Sequence, residues 1–316
     1  MSAETKICVN LRYLWDKRAN EHQNLEMEKR KKRTIGDITI YYKNGEEIYR
    51  KSHNDVGNRS KTVLQEATRC RMKNVQNLWT AFKVDGWIPR YQNKGKNQSD
   101  YNIFTSHALH GINIYLPERE SENYASVLVP LTISEGSLPP IGIEFDGMGV
   151  RSNISVGNMT VGQETKICDL ARAIMFNNQG FQKGDTITFV ACSQTLSPPF
   201  GYPRVRIRYC ELALDLQDER PLSLLRHSVE AFSVREGYIA STVAEGACTW
   251  VHESRGTAQK SAAYSTQTMW CSNDEMIARY SGETALKAAI ASDNKLKEKQ
   301  NALTPDPSPE DLSGKI

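Results

Sequence analysis

Nowhere do apolar residues run long enough to cross a bilayer. The longest uninterrupted stretches, such as Val127-Leu128-Val129-Pro130-Leu131, fall far short of the ~18 residues a spanning helix needs. The cysteines, at positions 8, 70, 168, 192, 210, 248 and 271, stand singly with no CxxC pair. That pattern argues against a zinc ribbon or disulfide framework and for reduced core residues. Residues Met1 to Leu14 lack the basic start, apolar centre and small-residue cleavage site of a secretory leader, so the chain is expected to stay where it is made. No GxxxxGKS/T or strand-following GxGxxG is present, which leaves Gly142, Gly147, Gly149, Gly157 and Gly162 as turn residues. G-x-S-x-G and papain-like cysteine signatures are missing as well. No catalytic residue is assigned and a non-enzyme is expected.

What is present is a chain of 316 residues with 39% apolar and 24% charged content, near the globular average and enough for about two domains. The net charge of +3 conceals a polarised distribution. Between Lys29 and Lys96 there are 17 Lys and Arg against 6 Asp and Glu, a local excess of +11.

Residues 16–33 are strongly polar, with little apolar face beyond Leu25 and Met27, and would not hold a helix alone. A hairpin follows: Ile35 to Tyr42 alternates, Asn44-Gly45 supplies the turn, and Ile48-Tyr49-Arg50 resumes. Thr62 and Gln65 have capping-box spacing ahead of a helix carrying Leu64, Ala67, Met72, Val75, Leu78, Trp79 and Phe82. Gly86 and Pro89 break it, and Tyr101 to Leu109 makes a shorter helix. From Ser126 the texture becomes β-rich, with strand candidates SVLVPLTI, PIGIEF, DTITFVACS, RVRIRYCEL, GYIASTV, GACTWVHES and AYSTQTMWC. A helix over Thr165 to Asn177 should lid one sheet face, and a last helix begins near Asn273.

The expected fold is therefore α+β: an N-terminal β-hairpin and helical unit, then an antiparallel β-sandwich-like domain with two helices. The expected division is a basic arm over 1–34, the hairpin and helices over 35–125, the β-rich part over 126–293 and a proline-rich tail over 294–316.

Among chemistry-bearing residues, His107 and His110 have HxxH spacing but no third ligand nearby. His227 and His252 are isolated, and Asp215, Asp218 and Glu219 read as a solvated loop. No metal or cofactor is expected. The basic run Lys29, Arg30, Lys31, Lys32 and Arg33, with Lys43, Arg50 and Lys51 on the hairpin, could neutralise phosphates. Docking on an acidic partner surface is the more ordinary use of such charges. Trp79, Trp87, Tyr91 and Tyr101 interleave with bases and could stack on nucleobases, although core packing is their more ordinary role.

The segments GDITIYYKNGEEIYRK, NDVGNRSKTVLQEATRCRMKNVQNLWTAF, QSDYNIFTSHAL and ISEGSLPPI, followed by NNQGFQKGDTITFVACSQ, GACTWVHESRG, STQTMWCSND and MIARYSGETALKAAIASD, recur in order. From Ile35 to Asp293 the chain resembles a family of virion-associated proteins from Bacteroidetes and their crAss-like gut phages. The first 34 residues and the segment after Leu303 depart from its outline. The resemblance implies a structural virion protein made in the bacterial host, a neck, tail or portal-vertex ring component. Its partners would be copies of itself, other neck, tail or portal proteins and packaged DNA, with no membrane and no small-molecule substrate. Trp87, Trp250 and Trp270 would centre the interface patches or else lie in the core. The alternative is a nucleic-acid-binding protein using the basic segment and hairpin.

Overall fold

The computed structural model describes residues 33–35, 38–43, 46–51, 62–243, 246–255 and 262–303. The chain divides at Lys61/Thr62 into two compact units. The first contains an antiparallel ribbon of β1 (Arg33–Ile35), β2 (Ile38–Lys43) and β3 (Glu46–Lys51), in that order. Lys43 lies opposite Glu46, so two residues, Asn44 and Gly45, join β2 to β3 as the sequence predicts. β1 is an addition to the expected hairpin: it places Arg33 and Thr34 in the sheet, across the boundary expected between arm and hairpin.

The second unit unites the helical part and the β-rich part, which were expected to be separate. α1 (Val63–Asp85) starts where Thr62 Oγ1 accepts from Gln65 N–H and Gln65 Oε1 accepts from Thr62 N–H, the reciprocal capping box. It stops at Gly86, whose φ of 90° is open to glycine at little cost. α2 (Asp100–His110) is capped by Ser99, and the short α3 (Glu118–Glu122) follows it. Phe82 packs edge-on against Phe104 at 5.9 Å and tilted against Trp87 at 6.0 Å, all three buried. Burying a phenylalanine of this kind is worth about 1.5–3 kcal/mol.

The central sheet contains β8 (Thr186–Ser197), β9 (Tyr202–Ala213), β12 (Gly246–Ser254), β13 (Ala263–Tyr264) and β15 (Trp270–Ser272). Its order is β13-β12-β8-β9, with β15 also on β12. Both faces are buried, so β8 reads as a continuous apolar run instead of an alternating one. One face presents Val190, Cys192, Ile207, Ala247 and Val251 to the core shared with α1 and α2. The other presents Ile187, Phe189, Leu212, Cys248 and Trp250 to α4 (Ile167–Asn177), to Ala231 of the short α5 (Ser228–Ala231) and to a second sheet. That sheet joins β6 (Ile143–Phe145), β7 (Val150–Ser155), β10 (Ser233–Arg235) and β11 (Tyr238–Ser241), in the order β10-β11-β7-β6. The chain is α+β as expected; sheet packs on sheet on one side only, and helices cover the other. α4 lids the sheet as predicted, from Ile167, two residues later than expected.

Several expectations need correction. SVLVPLTI is a strand only from Thr132, in β5 (Thr132–Glu135), which pairs with β4 (Arg90–Tyr91) and β14 (Gln267–Thr268). Ala125 to Leu128 is buried yet irregular, because side chains satisfy much of its backbone. Asn74 binds both the N–H and the C=O of Val127, at 2.8 and 3.1 Å. Leu128 N–H donates to Gln194 Oε1 at 2.8 Å, and Leu128 C=O accepts from Asn273 Nδ2 at 2.8 Å. AYSTQTMWC divides into β13, β14 and β15, shared between two sheets. β7 escapes the sequence pattern because buried Ser152 interrupts its apolar face between Val150 and Ile154. The final helix breaks at Ser281 into α6 (Asp274–Tyr280) and α7 (Gly282–Leu303). α7 runs through residues 294–303, expected to be tail, whose Lys, Glu, Gln and Ala are good helix formers.

Candidate functional site

Of the eight basic residues singled out, Lys29, Arg30, Lys31 and Lys32 lie outside the described residues. The other four belong to the ribbon but do not share a face. Arg33 sits opposite Ile40 and Lys51 opposite Ile38, whereas Arg50 sits opposite Thr39. Because strand positions alternate, 33 and 51 fall on one face and 43 and 50 on the other. Ile40 is buried, while its neighbours on that face, Ile38 and Tyr49, are exposed at 45% and 63%. Composition revealed the charge; its distribution over two faces follows from register, which composition does not carry.

The aromatics expected to be available for stacking or for an interface are mostly interior. Trp87, Tyr91 and Trp250 are buried, and the Trp250 indole N–H donates to Ala231 C=O at 2.9 Å. Trp79 is half-buried, edge-on to Tyr101 at 5.5 Å and tilted against Phe104 at 5.3 Å. Core packing is thus the role of this set. Trp270 is the exception, half-buried and stacked at 5.1 Å on Phe145, which is 48% exposed.

The histidines do not converge. His107 Nε2 meets Glu135 Oε2 at 2.9 Å and its ring stacks on Tyr91, while His110 Nδ1 faces Ser106 C=O at 2.6 Å. Among the described residues no group of three His, Cys, Asp or Glu is arranged to hold a metal ion. His252 is buried, pairs with Asp185 Oδ2 at 2.9 Å and lies 4.4 Å from the Phe181 ring. Among the described residues no Ser, Thr or Cys side chain hydrogen-bonds to that ring, so the pair lacks the nucleophile of a relay. It opens beside a cleft of about 310 Å³ lined by Asn153, Asn178 and Pro140.

Asp218 is chelated by the Arg220 guanidinium at 2.7 and 2.9 Å, which holds its carboxyl below the usual range. Its loop is exposed at Glu219 and Arg220, as expected, and this surface ion pair draws Asp218 inward. Burial pushes the thiols of Cys210, Cys248 and Cys271 up to about 12, and the described cysteines are free, as expected.

A partly buried ion cluster fastens α7. Lys73 Nζ lies 2.7 Å from Asp293 Oδ2 and 2.8 Å from Glu118 Oε2, and Asp293 Oδ1 accepts from Glu118 N–H. Burial opposes the Lys73 ammonium, but the hydrogen bonds it donates to Asp293 and Glu118 outweigh it and hold its pKa above the ordinary lysine value.

One surface combines a groove with unpaired backbone. Among the described strands β9 pairs only with β8, so its outer side is a sheet edge. The first half of that edge is sealed: Ser126 N–H donates to Pro203 C=O at 2.8 Å and Ser126 Oγ accepts from Val205 N–H at 3.1 Å. Asp85 Oδ2 then accepts from Ile207 N–H at 2.7 Å. Beyond it, Tyr209 and Glu211 point their backbone groups the same way into a groove of about 340 Å³, bounded by Asp85 and Leu225 to His227. None of these outward groups is hydrogen-bonded among the described residues. Comparison of the chain with family profiles, curated proteins and solved structures returned no match.

Proposed function

We propose that the chain is a non-enzymatic structural component of a bacteriophage virion, a neck, tail or portal-vertex protein that assembles into a symmetric ring. The observation that carries this reading is the division into an α+β body and a separate ribbon unit. The ribbon buries Ile40 and leaves Ile38 and Tyr49 exposed on the same face, and so small a sheet gains much of its stability from a surface laid against it. Closed rings need unlike contact surfaces on each copy, one to give and one to receive. The body offers a ready receiving surface in the open edge of β9. The resemblance over Ile35 to Asp293 points the same way. Light scattering and negative-stain imaging at low and moderate salt test the reading. Closed rings, alone or with neck proteins, are expected; a monomer that assembles with no such partner would overturn it.

A second reading, nucleic-acid binding, is favoured by the ribbon itself, since basic positions on both faces suit a β-ribbon entering a major groove. It predicts duplex affinity that falls steeply with salt. Neutralising Lys29 to Arg33 should then flatten the slope by about 0.9 for each phosphate that is no longer neutralised.

A further inference from the structure

The open half of the β9 edge carries a specific demand. An unpaired edge is a template for a further strand, and proteins normally block it with charge, proline or a covering segment. Here the block stops at Ile207, leaving Tyr209 and Glu211 to be completed. We propose that the segment Thr304 to Asp311 of a second copy adds to this edge as a parallel strand. This rests on the ring reading above.

The sequence of that segment, TPDPSPED, has prolines at alternate positions, Pro305, Pro307 and Pro309. In an extended chain successive N–H groups point to opposite sides, so all three missing donors fall on one edge. The N–H groups of Asp306, Ser308 and Glu310 fall on the other. Such a strand can pair on one side and not on the other, so it closes a sheet instead of propagating it.

Charge fixes the orientation. Arg206 and Arg208 share one face of β9, and Arg226 borders the groove. Arg206 is 62% exposed and only 4.0 Å from Asp85 at its nearest, while Arg208 pairs with Glu230 at 3.1 Å. The segment carries Asp306, Glu310 and Asp311 and no basic residue. In a parallel pair, residues bonding toward the partner lie opposite partner residues that bond away. Parallel addition over the open half therefore sets Asp306 beside Arg208, with Arg206 next along the same face, and Pro307 and Pro309 over Tyr209 and Glu211. Antiparallel addition would set the acids beside Glu211. A second copy is the source because edge and tail are unlike surfaces, and their pairing repeats head to tail around a ring.

The test uses the full chain carrying a photoreactive residue at position 308, made as a mixture of ¹⁴N- and ¹⁵N-labelled copies. After irradiation, the peptides linking 308 to residues 206–211 should include isotopic hybrids at the proportion expected for random pairing between copies. Glu211→Pro removes an outward N–H that β8 does not use. It should lower the hybrid yield at least about tenfold, equivalent to a loss of about 1.4 kcal/mol, with the thermal melt retained. Arg206→Glu should lower the yield in the same direction. Links confined to single isotopes with no hybrids, or links to other surfaces, would overturn the proposal. Closed rings without links to β9 would refute the tail docking and leave the ring reading standing. Hybrid links in particles that never close would do the reverse.

Discussion

The two halves of the β9 edge differ in one respect: what completes their backbone hydrogen bonds. From Pro203 to Ile207 the partners are side chains and backbone of the same unit, Ser126 and Asp85. At Tyr209 and Glu211 no described group fulfils that role. The sealed half lies beside the Ala125 to Leu128 segment, which the amides of Asn74, Gln194 and Asn273 clamp in turn. A sheet edge can thus be ended from within by polar side chains in the core, or left for something outside to end. The first solution costs nothing in specificity and the second provides a docking point.

The sharpest way to break the contrast is to place proline on either side of one ladder position. Cys210→Pro removes an N–H that pairs with β8 and should destabilise by about 3 kcal/mol or more. Glu211→Pro should cost about 1 kcal/mol or less, because that N–H points outward. Urea unfolding of both variants checks this, and equal losses would refute the assignment of inner and outer groups. Asn74→Ala strips both partners from Val127 and should cost about 2–3 kcal/mol, most of it from buried groups left unpaired. Asp85→Ala unseals Ile207 alone; about 1–2 kcal/mol is expected, together with more cross-linking from position 308, since the open edge lengthens.

The smallest effect concerns Glu120, whose backbone C=O accepts from Ala125 N–H at the start of the clamped segment. Burial raises its carboxyl pKa, against lowering by the Tyr280 hydrogen bond and Arg279. A pKa raised on folding adds stability that is fully present below the ordinary value of 4.5 and lost as pH rises through the folded value. Ionised Glu120 therefore weakens the fold at neutral pH. Glu120→Gln can still accept from Tyr280 and should stabilise at pH 7 by under about 1 kcal/mol. Melting curves should show that gain vanishing below pH 4.5.

Local chemistry made much of this legible in the sequence. The capping box at Thr62, the Asn-Gly connection of β2 and β3, the apolar stripe of α4 and the runs that became β8, β9 and β12 are all encoded within a few residues. What escaped depends on distant partners. Val127 looks like a strand residue until Asn74, 53 positions earlier, takes both of its backbone groups. Residues 294–303 look like tail because their run of Asn, Lys, Glu and Gln leaves no apolar period. The basic run was visible as charge, but its spread over two faces depends on pairing, and the open edge depends on where Ser126 and Asp85 stop.

The buried thiols have a consequence for handling the molecule. Burial holds the thiols of Cys210, Cys248 and Cys271 protonated far above neutral pH, and the thiolate is the form that alkylating reagents and oxidants attack. A cysteine introduced at an exposed position such as Phe176, 88% accessible on α4, would outpace these three by orders of magnitude. With Cys8, which lies outside the described residues, replaced by serine, a dye or gold particle could be placed there under mild conditions and followed within an assembled particle.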